Sequence, residues 1–142
     1  MQFGLFDHLD HKPEAPARTL TDRIEFIRQA EAGGFRAYHL AEHHGTPLGM
    51  ASSPSVFLAA VAQATSRLRL GPLVYLLPLY DPLRLLGEIA LLDQLSNGRL
   101  EVGVGRAISP IELAFYGVGD DIAQARTAEA LAVLRAGLGA ER

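Results

Sequence analysis

Three adjacent titratable residues, Glu42-His43-His44, form the most distinctive cluster of the sequence. They follow a short β-prone segment, where three such groups are costly unless solvent, a ligand or one another satisfies them. A histidine there could act as a general acid or base near neutral pH, or donate a hydrogen bond to a reaction intermediate. Because side chains alternate along a strand, His43 and His44 are predicted to face opposite sides, one functional and one structural. The alternative is a strand-end histidine that only bonds to backbone.

A glycine-rich segment, Gly103-Val104-Gly105-Arg106, provides a second candidate site. Gly105 would allow a ligand to approach the backbone closely, and the Arg106 guanidinium is suited to a phosphate. The segment is not a dinucleotide fingerprint, because position 108 is Ile where that pattern has its third glycine. The alternative interpretation is that the glycines relieve crowding between strands and Arg106 forms a surface ion pair.

An apolar segment from Leu76 to Tyr80 could accommodate a flat aromatic ligand or an alkyl chain, with Leu77 and Tyr80 as candidate contacts. Core packing explains this segment equally well. Metal binding is disfavoured, because His39 and His43 have a spacing that suits a helix whereas their segment is predicted to be a strand. Ser109 lacks the Gly-x-Ser-x-Gly pattern of a serine hydrolase.

The elements that position these residues recur at a fixed interval. Short β-prone segments begin at positions 3, 36, 68 and 100, and helical patterns lie between them. Ser53-Pro54 and Asp81-Pro82 predict helix starts, Asn97-Gly98 predicts a helix end, and Thr19 with Asp22 predicts a capping box. Four such units predict an α/β fold with a parallel sheet, either doubly wound or the first half of a (β/α)₈ barrel, which typically needs roughly 250 residues.

In both architectures ligands bind at the carboxyl ends of the strands, and the unusual polar residues follow those ends. They are Asp7, His8 and His11 after the first strand, Glu42 to His44 after the second, Tyr80 and Asp81 after the third, and Arg106 after the fourth. We therefore expect one face of the sheet to collect them.

Composition restricts the class of protein. The 142 residues are 49% hydrophobic and 20% charged, which fits a single globular domain over residues 1–142. A net charge of -3 without Lys or Arg runs argues against nucleic acid and anionic membranes as partners. There is no cysteine, no apolar run of the ~20 residues that a membrane span needs, and no secretory pattern at the N-terminus, so a cytoplasmic location is expected.

Several motifs together resemble the bacterial luciferase-like, flavin-dependent monooxygenase family. They are Phe3 to Asp7, Gly34-Phe35 leading into Ala41-Glu42-His43-His44, Leu70-Gly71-Pro72, Leu95 to Leu100 with its Ser-Asn-Gly-Arg, and Gly103 to Arg106. Their order and separations match the family from about Met1 to Leu138. The sequence departs from the family at Ala107, where glycine is frequent.

The resemblance implies a (β/α)₈ barrel of which this chain is the N-terminal half. It implies that reduced FMN reacts with O₂ to a flavin hydroperoxide, which oxygenates an aldehyde or other small organic substrate, the reduced flavin coming from a separate reductase. On the matching positions His43 is the active-site histidine, Glu42 and His44 are its neighbours, and Arg106 contacts the phosphate. Relatives that use a deazaflavin share the barrel, and Glu-His-His favours the FMN branch.

Two hypotheses follow. In the first, the chain is the N-terminal half of a flavin-dependent oxidoreductase. In the second, it is a truncated half-barrel without turnover that acts only by assembling with itself or a complementary chain. Open strand edges predict a homo- or hetero-oligomer in either case.

Overall fold

A computed structural model describes residues 1–10 and 15–139, in which strands and helices alternate along most of the chain. The order is β1 (Gly4–Asp7), α1 (Pro16–Ala32), β2 (Ala37–Leu40), α2 (Pro54–Ala64), β3 (Arg69–Pro72), β4 (Tyr75–Leu76), a 3₁₀ turn (Leu77–Leu79), α3 (Pro82–Ser96), β5 (Val104–Gly105), α4 (Pro110–Phe115) and α5 (Asp120–Gly139). The predicted α/β class is confirmed. Within the described residues, no helix is long and apolar enough to cross a membrane.

The sheet is parallel and follows chain order. β1, β2 and β3 pair in sequence, with Leu5 opposite Tyr38 and Tyr38 opposite Leu70. A bridge joins Leu70 to Leu100, and the Glu101 N–H donates to the Leu70 carbonyl at 2.8 Å. The segment that leads into β5 therefore lies beside β3, and β5 itself pairs with β4. The carboxyl ends of these strands lie at one edge of the sheet, as the sequence predicts.

The third β-prone segment is interrupted where its backbone changes partner. The Leu73 N–H donates back to the Leu40 carbonyl of β2 at 2.8 Å, whereas the Tyr75 N–H donates forward to the Gly103 carbonyl at 2.9 Å. Two short strands, β3 and β4, replace the single predicted one. Gly71 is required beside this segment, because a Cβ at that position would overlap the Glu101 carbonyl oxygen.

Proline and capping residues fix two helices where the sequence predicts them. α2 and α3 begin at Pro54 and Pro82, and the Asp81 carboxylate accepts the Arg84 N–H at 2.9 Å. α3 ends at Ser96 and is capped by Asn97, which adopts the left-handed conformation with φ of 56°.

α1 begins earlier than predicted. Pro16 provides its first residue, and the Thr19 N–H already donates to the Ala15 carbonyl at 2.9 Å. The Thr19 hydroxyl donates to the same carbonyl at 3.0 Å instead of capping a helix start. The predicted Thr19–Asp22 capping box is therefore wrong, because proline pre-sets the helical φ three residues before Thr19.

The core lies between the sheet and the helices that cover one of its faces. Alternate strand residues face this side, and the two main clusters combine them with helix residues. The first contains Tyr38, Leu40 and Leu70 with Ile27, Leu58 and Val61; the second contains Tyr75 and Leu77 with Leu85, Ile89, Ala130 and Leu134.

Candidate active site

The Glu42-His43-His44 segment lies directly after β2, at the carboxyl edge of the sheet. Strand β2 ends at Leu40, so the three residues do not continue the strand. Their side chains nevertheless separate into two environments: Glu42 and His44 bond to each other, whereas His43 bonds to Glu112. The short helix α4 lies against this segment, because its Glu112 bonds the His43 side chain and the His44 backbone.

Glu42 and His44 form a buried pair. Glu42 is only 2% exposed, and its Oε1 lies 2.6 Å from Nε2 of His44. Its Oε2 accepts the Leu76 N–H at 3.1 Å, which ties the segment to β4. The hydroxyl of Tyr116 lies 2.7 Å from Nδ1 of His44, so both imidazole nitrogens of His44 have partners. This ring is therefore held in place by hydrogen bonds at both nitrogens.

His43 lies on the more accessible side. Its side chain is about one fifth exposed, and its ring stacks on that of His8 with centroids 5.4 Å apart and planes 13° apart. Nδ1 of His43 is 3.1 Å from Oε1 of Glu112. The same oxygen accepts the His44 backbone N–H at 2.9 Å. Glu112 therefore joins α4 to both histidines.

Two residues of this cluster, Glu112 and Tyr116, are absent from the sequence predictions. They are separated from the histidines by 68 to 72 residues, and only the fold brings them together. Ser109-Pro110 is a local sequence pattern typical of a helix start, and the Ser109 hydroxyl accepts the Glu112 N–H at 3.4 Å. That pattern predicts where α4 begins, but does not indicate which of its side chains point inward.

Leu77 and Tyr80 follow β4, the strand whose Leu76 N–H bonds Glu42, and the two residues differ in burial. Tyr80 is half-buried and packs edge-to-face on Tyr75 at 5.6 Å. Burial raises the pKa of the Tyr80 hydroxyl, and the neighbouring Glu42 carboxylate raises it further. Leu77 is completely buried in the cluster that it shares with Tyr75 and Leu85. Its role as a flavin contact remains a prediction.

Arg106 follows β5 at the same edge and is exposed. Its Nη1 is 3.0 Å from Oδ1 of Asp120, at the start of α5. The surface ion pair that the sequence left as an alternative is therefore present in this state of the protein. Gly105 packs closely on Val74, which a Cβ would contact at 2.6 Å.

Asp7 belongs to the scaffold. Its carboxylate accepts the Leu9 N–H at 2.9 Å, an Arg23 N–H at 2.8 Å and the Tyr38 hydroxyl at 2.6 Å. His11 lies outside the described residues. Among residues 1–10 and 15–139, no group of three or more His, Asp or Glu side chains is arranged to hold a metal ion.

Comparison with known proteins identifies the family. The chain matches the family model for luciferase-like monooxygenases over residues 1–142. It is 50% identical to the uncharacterized protein y4wF of Sinorhizobium fredii over 94% of this chain and 39% of that protein. It is 32% identical to the oxygenase component of the flavin-dependent trigonelline monooxygenase of Acinetobacter baylyi, over 79% of this chain and 32% of the relative.

A solved structure has the same fold. The oxygenating constituent of 3,6-diketocamphane monooxygenase from Pseudomonas putida, a type II Baeyer–Villiger monooxygenase in complex with FMN, superimposes with a TM-score of 0.87 at 26% identity. The match covers 95% of this chain and 38% of that one. The chain thus spans about a third to two fifths of the length of these relatives. On the family match, the resemblance in the sequence is confirmed: the chain belongs to the luciferase-like monooxygenase family.

Proposed function

We propose that the protein is a flavin-dependent monooxygenase that uses reduced FMN and O₂ to oxygenate a small organic substrate of the aldehyde type. The chain would form the first four βα units of a (β/α)₈ barrel. The observation that carries the proposal is the convergence of Glu42, His43 and His44 with Glu112 at the carboxyl edge of a parallel sheet, in a chain of this family. Ligands of such sheets bind at that edge.

The residues at this edge fit a flavin phosphate and ring. Arg106 is an exposed cation whose present partner, Asp120, is itself three-quarters exposed, so a phosphate could replace that carboxylate. Gly105 leaves the neighbouring backbone without a side chain, and Tyr80 offers an aromatic surface. Arg106, Gly105, Leu77 and Tyr80 are the residues we propose to hold the cofactor.

When bound, reduced FMN supplies two electrons, so that one atom of O₂ enters the substrate and the other leaves as water. The role proposed for His43 is to hold or move a proton beside the reacting atoms, because it is the accessible histidine of the cluster. Glu42 and His44 support it from the buried side, where their 2.6 Å contact fixes the backbone on which His43 is carried. The apolar residues around them would limit access of water.

The first experiment replaces His43 with alanine and measures O₂ consumption, hydrogen peroxide release and product from a panel of aldehydes and ketones. We expect FMN affinity to be nearly unchanged, the rate of product formation to fall by a factor of about 10² or more, the usual contribution of a general acid–base group, and hydrogen peroxide to replace product among the outcomes of O₂ consumption. His39→Ala is the matched control, since His39 bonds Glu101 at 3.0 Å outside the cluster. Unchanged coupling in His43→Ala would remove His43 from this role.

A second experiment tests the phosphate contact. Arg106→Ala should weaken FMN about tenfold or more, the expected loss for one charge-assisted hydrogen bond, while riboflavin, which lacks the phosphate, binds as before. Asp120→Asn removes the competing carboxylate and should not weaken FMN. Equal weakening of FMN and riboflavin in Arg106→Ala would contradict the contact.

A deazaflavin remains the alternative cofactor. The Glu-His-His sequence favours FMN, and titration of the protein with both reduced cofactors distinguishes them. A flavin reductase as supplier of reduced FMN, and a cytoplasmic location, remain proposals that follow from the family.

The second candidate function is that of an inactive half-barrel that assembles with itself or with a complementary chain. Strand β1 and the segment that leads into β5 form the two edges of the described sheet, and open edges favour pairing with another chain. We therefore expect an oligomer in sedimentation velocity at micromolar concentration. A monodisperse monomer would contradict this expectation.

A further inference from the structure

We infer that Glu112 is a positioning residue that holds His43 in the tautomer with its hydrogen on Nδ1, so that Nε2 is the nitrogen that exchanges a proton at the reacting centre. The assignment of the tautomer rests on the contacts of Glu112 alone. Its use in the reaction rests on the function proposed above.

The hydrogen-bond inventory of one oxygen carries the argument. Oε1 of Glu112 lies 2.9 Å from the His44 backbone nitrogen and 3.1 Å from Nδ1 of His43. A peptide N–H can only donate, so Oε1 receives that hydrogen on a lone pair. An ionised carboxylate carries no hydrogen, so its oxygen accepts the second bond as well. The hydrogen of that bond must therefore be on Nδ1 of His43.

Burial separates the two partners of this bond. Glu112 is 4% exposed, whereas the His43 side chain is about one fifth exposed. The carboxylate therefore sits behind the imidazole, away from solvent, and the stack of His43 on His8 fixes the plane of the ring. In a neutral imidazole with hydrogen on Nδ1, Nε2 carries the free lone pair.

The tautomer needs this support, because a neutral imidazole free in water prefers its hydrogen on Nε2. A carboxylate behind Nδ1 reverses that preference, and it also stabilises the imidazolium that forms once Nε2 accepts a proton. Glu112 bonds His43 at Nδ1 and not at Nε2. It acts through His43, and without it the ring would relax to the form in which Nε2 cannot accept a proton.

The tautomer is measured directly by long-range ¹H–¹⁵N correlation NMR on the protein labelled with ¹⁵N-histidine, without flavin. We expect Nδ1 of neutral His43 to show the shift of a protonated nitrogen and Nε2 that of an unprotonated one; His43→Gln identifies the signals. Glu112→Ala should reverse the two shifts. Glu112→Gln, whose amide oxygen can accept the same two N–H groups, should retain them, and Glu25→Ala is the control for loss of an exposed glutamate.

A wild-type His43 with its hydrogen on Nε2 would overturn the inference, and so would an unchanged tautomer in Glu112→Ala. The wild-type spectrum and Glu112→Gln decide the question even if Glu112→Ala unfolds. In turnover, Glu112→Ala should lower the product formed per O₂ as much as His43→Ala does, and Glu112→Gln should restore most of it. A correct tautomer combined with unchanged coupling in His43→Ala would refute the proposed function and leave the positioning of His43 intact.

Discussion

Arg99, in the Ser-Asn-Gly-Arg motif, is expected to be a main determinant of stability and to have no role in chemistry. Its guanidinium uses all of its N–H groups within the protein. Nε donates to the Ser96 carbonyl at 2.7 Å, Nη1 to the Thr65 hydroxyl at 2.9 Å and the Leu68 carbonyl at 2.8 Å, and Nη2 to the carbonyls of Ala62 at 2.7 Å and Thr65 at 3.2 Å. It therefore caps the end of α2 and joins it to α3 and β3.

The size of the effect follows from the donors that remain after substitution. Arg99→Lys leaves one nitrogen with three hydrogens, so at least two of the bonds are lost. At about 0.5–1.5 kcal/mol per bond, the free energy of unfolding should fall by about 1–3 kcal/mol. Arg99→Ala removes all five bonds, but water can replace some of them because the site is half-buried. The free energy of unfolding of this variant should therefore fall by about 3–5 kcal/mol.

Urea denaturation followed by circular dichroism measures this prediction. Both substitutions should lower the urea concentration at the midpoint without changing the slope of the free energy with urea. The midpoint should be lowest for Arg99→Ala, intermediate for Arg99→Lys and highest for wild type. Arg18→Lys is the control, because Arg18 is exposed and its pair with Asp22 at 3.5 Å should contribute less than about 1 kcal/mol. If the free energy of unfolding of Arg99→Lys lies within about 0.5 kcal/mol of the wild-type value, Arg99 does not hold α2 as described.

Two other substitutions test buried and backbone-bonded carboxylates. Glu42→Leu leaves the Leu76 N–H and the His44 ring without their partner, so the free energy of unfolding should fall by about 2–5 kcal/mol. Glu42→Gln should cause a smaller fall. Equal urea midpoints for Glu42→Leu and wild type would contradict this prediction. Burial alone would raise the pKa of Glu31, but the N–H groups of residues 66–68 outweigh it and lower the pKa. Its stabilisation is then present at neutral pH and lost as the pH falls through its folded-state pKa, so Glu31→Gln should destabilise the protein at neutral pH and have less effect in acid. Urea unfolding at both pH values measures this, and an equal effect at both would refute it.

The parts of the fold that the sequence predicted well are those controlled by neighbours in the chain. Pro54 and Pro82 start α2 and α3, and Asn97 ends α3, because proline pre-sets a helical φ and asparagine tolerates a left-handed one within a single turn. The alternation of strands and helices follows from the regular interval between β-prone segments, whereas that interval left the strand order open between a doubly wound sheet and a barrel. The exception is α1, which begins at Pro16 and not at the predicted Thr19–Asp22 capping box.

The parts that could not be predicted depend on backbone or side chains distant in sequence. The third strand divides because the Leu73 N–H bonds to β2 and the Tyr75 N–H to the segment before β5. Leu77, which the sequence presents either as a ligand contact or as a core residue, is completely buried together with residues of α3 and α5. An apolar residue after a strand has the same local pattern whether it faces core or ligand, and only the covering helix decides.

By itself the sequence determined the α/β class, the family, and the segment that carries the histidines, because spacing, caps and motifs are local properties. It could not determine which atoms of that segment are engaged. The tertiary structure decided that His44 is held at both nitrogens by Glu42 and Tyr116, and that Glu112 lies behind His43. The physical reason is that a hydrogen bond across 69 residues exists only after the core has packed α4 against the carboxyl edge of the sheet.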